Sequence, residues 1–195
     1  MKSSGLSGHA GHFKFPQTQV IQLLNDQLFI FFRSWSGLEI QQKVIDEISH
    51  FLSAADADLE VTTPFEFIES LSSYANKVRI SLLLANDIVY KTENKERYAQ
   101  GCEIGIVYKK NNEVICASVG RFGFTAIKNE QRMVLSSGGN LLDDQVLLPT
   151  QLLGLDPTPI IQINSISTKG LSELVVDSDY FNQSTVWKIS LIDFE

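Results

Sequence analysis

The chain has 195 residues, of which 44% are hydrophobic and 20% are charged, and its formal net charge is −7. A chain of this length buries enough surface to fold as one domain without a metal ion or a disulfide. Every apolar run is shorter than the ~20 residues of a membrane span, and the only cluster of basic residues is Lys109-Lys110. We therefore expect neither a membrane protein nor a nucleic-acid-binding protein, and we expect protein or small-molecule partners.

Residues 1–18 are rich in Gly and Ser and lack the apolar segment that is typical of a secretory signal. We expect a flexible lead-in followed by a single domain, residues 19–195, located in the cytoplasm. His9 and His12 lie in the lead-in without a rigid third ligand, so we expect no metal site there.

Two strands follow, "TQVIQLL" and "QLFIFF", with a tight turn at Asn25-Asp26 between them. The second strand runs into Arg33. Just beyond, Ser36 and Glu39 form a capping box, which predicts that a helix begins almost directly after the strand. The apolar positions of this helix keep a period of 3.6 residues: Ile40, Val44, Ile45, Ile48, Phe51 and Leu52.

A second capping box lies between Thr63 and Glu66, with Pro64 at the first helical position. It predicts one long helix that continues to about Asn94, because apolar residues recur along it at alternating spacings of three and four. We expect its apolar stripe to lie across a sheet. A coiled-coil dimer is the alternative, which leaves the oligomeric state open.

The rest of the chain is rich in strands. The pairs "CEIGIVYK" and "EVICASVG", then "FGFTAIK" and "RMVLSS", are joined by turns at Asn111-Asn112 and Asn129-Glu130, which predicts an antiparallel meander. The strands "PIIQINSIS" and "STVWKISLID" close the chain, with "GLSELV" between them. Strands, then helices, then strands predict an α+β sandwich in which helices cover antiparallel sheets.

The two cysteines are predicted to be free thiols. A turn at Asn111-Asn112 places Cys116 opposite Val107, which is ~16 Å along the strand from Cys102. A disulfide requires Cα atoms within ~7 Å, so we expect two buried, reduced cysteines.

The order of elements and several short strings resemble the metal-dependent protein phosphatases of type 2C, the PPM family. In that family an apolar strand ends in Asp-Gly before a turn of small residues, and "LFIFFRSWSG" occupies that place here. The hairpin "GCEIGIVYKKNNEVICASVGRFGFTAI" follows the rhythm of the family's Gly-Thr-Thr strand and Val-Gly-Asp-Ser-Arg string. The strings "STKGLSELV" and "NQSTVWKISL" stand where the family carries Ser-Asp-Gly-Leu-Thr and Asp-Asn. The resemblance implies a four-layer αββα fold, a β-sandwich of mainly antiparallel sheets flanked by antiparallel helices.

In active members of the family the strand-terminal aspartates bind two magnesium or manganese ions. By position, the first Asp-Gly becomes Arg33-Ser34, the second becomes Lys169-Gly170, and the Asp of the last Asp-Asn becomes Asn182. Because two anionic ligands have become cations, the resemblance implies no metal, no cofactor and no catalytic residue at this position. It implies a pseudophosphatase, a regulatory or scaffolding protein-binding module in phosphorylation-linked signalling.

Three cations are candidates for an anion site. Arg33, Lys169 and Arg121, if they converge on the rim of the sheets, would bind a phosphorylated or other anionic ligand. The alternative is that they pair with a local acid such as Asp143 or Asp144.

Trp35 has two candidate roles, because a large aromatic in this turn either plugs the vacated cleft or stands exposed as an interaction anchor. A second hypothesis for function comes from the enzyme class. It is a metal-dependent serine/threonine phosphatase or other hydrolase with a displaced site built from acids such as Asp143, Asp144, Asp177 and Asp179.

Overall fold

The computed structural model describes residues 16–36, 39–57, 63–96, 100–138, 151–180 and 183–191, and for residues 179–180 and 183–184 it describes the backbone only. Most of the predicted lead-in, together with Asp143, Asp144 and Asn182, lies outside these residues. Within them, no helix combines the length and the apolar character needed to cross a membrane.

Along the described residues, the elements are two sheets of antiparallel strands, two α-helices and one π-helical turn. In chain order they are β1 (Gln19–Leu23), β2 (Leu28–Ser34), α1 (Gln41–Ala57), α2 (Ser73–Ile88), the π-helical turn (Val89–Glu93), β3 (Cys102–Lys110), β4 (Glu113–Val119), β5 (Gly123–Lys128), β6 (Gln131–Ser136), β7 (Gln162–Ser167), β8 (Leu171–Tyr180) and β9 (Gln183–Ser190).

The strands form two sheets, which we call sheet A, with the order β1-β2-β3-β4-β7, and sheet B, with the order β6-β5-β8-β9. The predicted turns are present: Asn25, Asp26, Asn111 and Asn129 all have positive φ, which Asn and Asp tolerate better than most residues. The predicted single meander is wrong, because the chain leaves sheet A after β4 and enters sheet B at β5. The segment "GLSELV" belongs to β8, the second strand from the β9 edge of sheet B.

Both helix starts differ from their predictions. Helix α1 begins at Gln41, and the Ser36 hydroxyl bonds the backbone of Gly101. Helix α2 begins at Ser73, where Ser72 is the N-cap and its Oγ accepts from the backbone N–H of Ala75 at 3.1 Å. The Thr63 hydroxyl accepts from the N–H of Phe65, which is a local turn and not a capping box.

The apolar residues form two cores. One lies between the helices and sheet A and contains the predicted apolar face of α1. The other lies between the sheets and contains Phe31, Phe122 and Phe124, with Trp187 packed against it. Alternation along β2 explains the division, because Ile30 and Phe32 face the helices while Phe31 faces sheet B. The α+β class and the antiparallel sandwich are confirmed.

The predicted fourth layer has no counterpart among the described residues. Helices α1 and α2 cover sheet A, whereas β8 and β9 of sheet B are joined through residues 181–182 alone. Val134 and Val186 are exposed on sheet B. The described part of the chain therefore has three layers.

The prediction for the cysteines is confirmed. Cys116 is paired with Val107 in the β3–β4 register, and both cysteines are buried and free.

Candidate functional site

The position that the resemblance assigns to the first metal-binding Asp holds a buried ion pair. Arg33 on β2 lies directly opposite Glu103 on β3, and both side chains point between the two sheets. Arg33 Nη1 is 3.3 Å from Glu103 Oε2. Arg33 is 6% exposed and Glu103 is fully buried, so the two charges neutralise each other away from solvent.

Both carboxylate oxygens of Glu103 have further partners. The indole N–H of Trp35 donates to Oε2 at 2.9 Å, and the backbone N–H of Arg121 donates to Oε1 at 2.9 Å. A buried carboxylate needs such donors, because each unmet acceptor costs free energy. Glu103 is therefore bound by groups from β2 and from the β4–β5 connection.

Gly120 makes this arrangement possible. Its φ is +93°, a conformation that favours glycine. A Cβ at this position would lie 2.6 Å from Glu103 Cγ. The chain thus passes over the Glu103 side chain at a distance that only glycine permits.

Arg33 also ties the segment before β1 to the site. Its Nε and Nη2 donate to Thr18 Oγ1 at 3.1 and 2.7 Å. The guanidinium carbon lies 5.3 Å from the centre of the Phe122 ring, within the range of a cation–π contact. Phe122 fills the space above Gly105, where a Cβ would lie 3.0 Å from the ring.

These donors and acceptors do not fit a divalent cation. Magnesium and manganese require several oxygen ligands, and here the ligand position carries a guanidinium whose charge would repel them. Across the described ranges, no group of three or more His, Cys, Asp and Glu side chains is arranged to hold a metal ion. The side chains at this position therefore bond to one another and do not form a ligand set for a metal ion.

The neighbouring thiol is also unsuited to chemistry. Cys102 precedes Glu103 on β3 and is fully buried. Burial, and then the negative charge of Glu103, raise the pKa of the Cys102 thiol. Since the thiolate is the nucleophile and the metal ligand, a raised pKa disfavours both roles for Cys102.

Lys169 and Gly170 do not join Arg33, so the predicted convergence is wrong. They lie in the β7–β8 turn, next to the end of β4 where Glu113 is opposite Ser167. Glu103 is next to the other end of β4, ~20 Å away at ~3.3 Å per residue. Lys169 is exposed at that far end.

Two of the predicted acids, Asp177 and Asp179, lie on β8 near the Arg33 end of the sandwich. Asp177 is paired with Gly123, directly after Phe122. Its carboxylate lies against Gly123, where a Cβ would be 2.7 Å from Oδ2. Asp179 follows two residues later on the same strand, paired with Ser184.

The other predicted residues have structural contacts. Ser34 is buried, and its Oγ accepts from the backbone N–H of Ser36 at 3.3 Å. Trp35 is half-buried with its indole N–H bound to Glu103. Arg121 is at the site through its backbone. The choice between cleft plug and interaction anchor for Trp35 stays a prediction.

Sequence reasoning missed Glu103. The signal was a single acid within the apolar run "GCEIGIVY", since a charge in a buried strand needs a partner. Pairing that strand antiparallel with "LFIFFRS" would have placed Glu103 opposite Arg33.

Comparison with known proteins identifies the fold. No protein-family model matches the chain, and a search of curated proteins finds no match either. Among solved structures, serine/threonine phosphatase Stp1 from Staphylococcus aureus is 15% identical, with a TM-score of 0.53 over 83% of this chain and 68% of that one. PppA of Pseudomonas aeruginosa, described as a regulatory component of T6SS, is 13% identical, with a TM-score of 0.56 over 83% and 69%.

The serine/threonine phosphatase PstP/Ppp of Mycobacterium tuberculosis is 9% identical, with a TM-score of 0.55 over 83% of this chain and 71% of that one. Identities this low show a shared fold and carry no statement about activity. The chain has the fold of the type 2C serine/threonine phosphatases.

Proposed function

We propose that this chain is a catalytically inactive domain of the phosphatase 2C fold that acts in the cytoplasm by binding a protein partner, in a regulatory or scaffolding role. The observation that carries the proposal is the buried Arg33–Glu103 pair. By the sequence resemblance, Arg33 stands where active members of the family have a metal-binding Asp, and Glu103 pairs with its charge within the chain.

The pair also argues against ligand binding by Arg33. Its Nε, Nη1 and Nη2 all donate within the chain, to Thr18 and Glu103. An anion at this place would meet a guanidinium that Glu103 already neutralises, so the anion-binding form of the proposal has little support.

A second candidate is an active, metal-dependent phosphatase or other hydrolase with a displaced site. The observation that favours it is the placement of Asp177 and Asp179 at the Arg33 end of β8. Carboxylates there, with Asp143 and Asp144, would supply the oxygen ligands that magnesium and manganese prefer.

The experiment that separates the two candidates is turnover of p-nitrophenyl phosphate and of a phosphoserine peptide with added Mn²⁺ or Mg²⁺, together with metal analysis of the purified protein. We expect no turnover above the buffer rate and no bound metal. Turnover that a chelator abolishes would overturn the proposal. Its loss in Asp177→Asn, and not in Asp46→Asn on the exposed face of α1, would establish the displaced site.

A further inference from the structure

The loop before α2, residues 63–72, holds exposed apolar side chains in a fixed conformation. Phe67 is 52% exposed and Ile68 is 39% exposed. Their neighbours Phe65 and Leu71 turn the other way and pack on the core between the helices and sheet A. The loop therefore has one apolar side that stabilises the fold and one that faces solvent.

A buried amide fixes the backbone of this loop. Asn76, in the first turn of α2, is 2% exposed. Its Oδ1 accepts from the N–H of Ile68 at 2.8 Å, and its Nδ2 donates to the Ile68 carbonyl at 2.9 Å. The same Nδ2 is 3.3 Å from the carbonyls of Leu71 and Ser72. The Asn76 side chain thus holds the backbone of residues 68–72 in a loop, where the sequence pattern predicted a helix.

A second anchor holds the other side of the exposed pair. Arg79, one turn further along α2, donates from Nη1 to the Glu66 carbonyl at 3.1 Å. Because both sides are anchored, binding at Phe67 and Ile68 would cost little backbone entropy, which is the main benefit of a preorganised epitope.

The exposed pair lies between two acids. Glu66 and Glu69 are exposed, and neither carboxylate has an ion pair with any described residue. A surface of this kind, an aromatic anchor between negative charges, complements an apolar pocket with a rim of Lys and Arg.

We propose that residues 66–69, Glu-Phe-Ile-Glu, are the docking epitope through which this chain binds a partner protein, whose surface offers an apolar pocket rimmed by basic residues. The inference rests on the proposed binding function and locates it. Phe67, 52% exposed, is the aromatic anchor of this epitope.

The test is site-specific photo-crosslinking in the native host. A p-benzoylphenylalanine residue replaces Phe67, and in a control it replaces Val134, which is 64% exposed on sheet B. We expect a discrete crosslinked protein from position 67 and none from position 134. The crosslink yield should fall at least tenfold when Glu66→Gln and Glu69→Gln are added, and it should be unchanged by Glu130→Gln, an exposed acid in the β5–β6 turn.

Three results would contradict the proposed epitope: no crosslink from position 67, equal crosslinking from positions 67 and 134, or a crosslink yield that does not change when the two acids are replaced. Crosslinks from position 134 alone would also overturn it, while leaving a binding function at sheet B. The turnover assay described above tests the inactive-domain proposal independently. Equal thermal unfolding midpoints for all variants ensure that a lost crosslink reflects the surface and not the fold.

Discussion

Arg33 and Glu103 stand opposite one another on neighbouring antiparallel strands and meet, between the two sheets, at 3.3 Å. A buried pair is costly to break because the surviving charge is left without a partner, a loss of about 3–5 kcal/mol. Contacts from Trp35, Thr18 and the β4–β5 connection converge on the same two side chains. The pair therefore links sheet A to the segment before β1 and to the β4–β5 connection that leads into sheet B.

The first prediction concerns the coupling within this pair. Arg33→Met and Glu103→Gln should each lower the free energy of unfolding by about 3–5 kcal/mol, and the double variant should lose less than the sum of the two. Urea denaturation measures all three.

Lys43→Met, which breaks the exposed Lys43–Glu93 pair, is the control and should cost less than about 1 kcal/mol. Additive losses at Arg33 and Glu103 would show that the two side chains act independently.

The second prediction concerns Gly120. Gly120→Ala places a Cβ 2.6 Å from Glu103 Cγ, at a residue whose backbone φ is +93°. This substitution should lower the free energy of unfolding by about 1–3 kcal/mol or more. Gly170→Ala shares the positive φ, of +73°, but its Cβ meets the end of the Asn129 side chain in an exposed turn. Gly170→Ala should therefore lower the free energy of unfolding by less than Gly120→Ala in the same denaturation assay. A larger loss at Gly170 would contradict the role assigned to the Glu103 contact.

Much of the fold is predictable from local patterns, because strand alternation and the Asn residues of the β1–β2, β3–β4 and β5–β6 turns reflect short-range physics. The hairpin register that pairs Cys116 with Val107 is an example. Local patterns could not predict at which end of the sandwich Lys169 lies, because that depends on which sheet each strand joins. The crossing from β4 to β5, through Gly120 and Phe122, leaves no periodic signal in the sequence.

The site was predictable only in part for the same reason. Arg33 was identifiable as an anomaly in an apolar strand, but its partner is 70 residues away. The two predicted capping boxes failed because their hydroxyls bond other groups, one of them 65 residues away. The hydroxyls of Ser36 and Thr63 had competing partners, Gly101 and Phe65, and Ser72 capped α2 instead.

The third prediction is a dependence of stability on alkaline pH. Burial raises the pKa of both thiols, Cys102 and Cys116, whereas in the unfolded chain each has a pKa of about 8.5. Above that pH the unfolded state releases protons that the folded state retains, so stability is lost as pH rises, by up to ~1.4 kcal/mol per pH unit for each thiol.

Urea denaturation between pH 7 and 10 measures this slope. The double variant Cys102→Ala and Cys116→Ala should have a flatter slope above pH 8.5 than the unsubstituted chain, and the comparison cancels the contributions of Tyr108 and Lys109. Parallel slopes would mean that the thiols ionise in the folded state. Slow native reaction with a thiol reagent such as dithionitrobenzoate, with full reaction in urea, should accompany the flatter slope.

The last prediction tests where α2 begins and what holds the loop before it. Ser72→Ala removes the N-cap bond to Ala75 and should lower the free energy of unfolding by about 1 kcal/mol. Asn76→Ala removes a buried amide that bonds both the N–H and the carbonyl of Ile68, which should cost about 2–3 kcal/mol because those groups lose their partner. Hydrogen exchange at the Ile68 amide should quicken in Asn76→Ala before global unfolding, since the loop opens locally. Glu66→Ala, at the exposed acid of the predicted capping box, should change neither quantity. A loss at Glu66→Ala equal to that at Ser72→Ala would place the helix start near Pro64, as the capping-box pattern predicted.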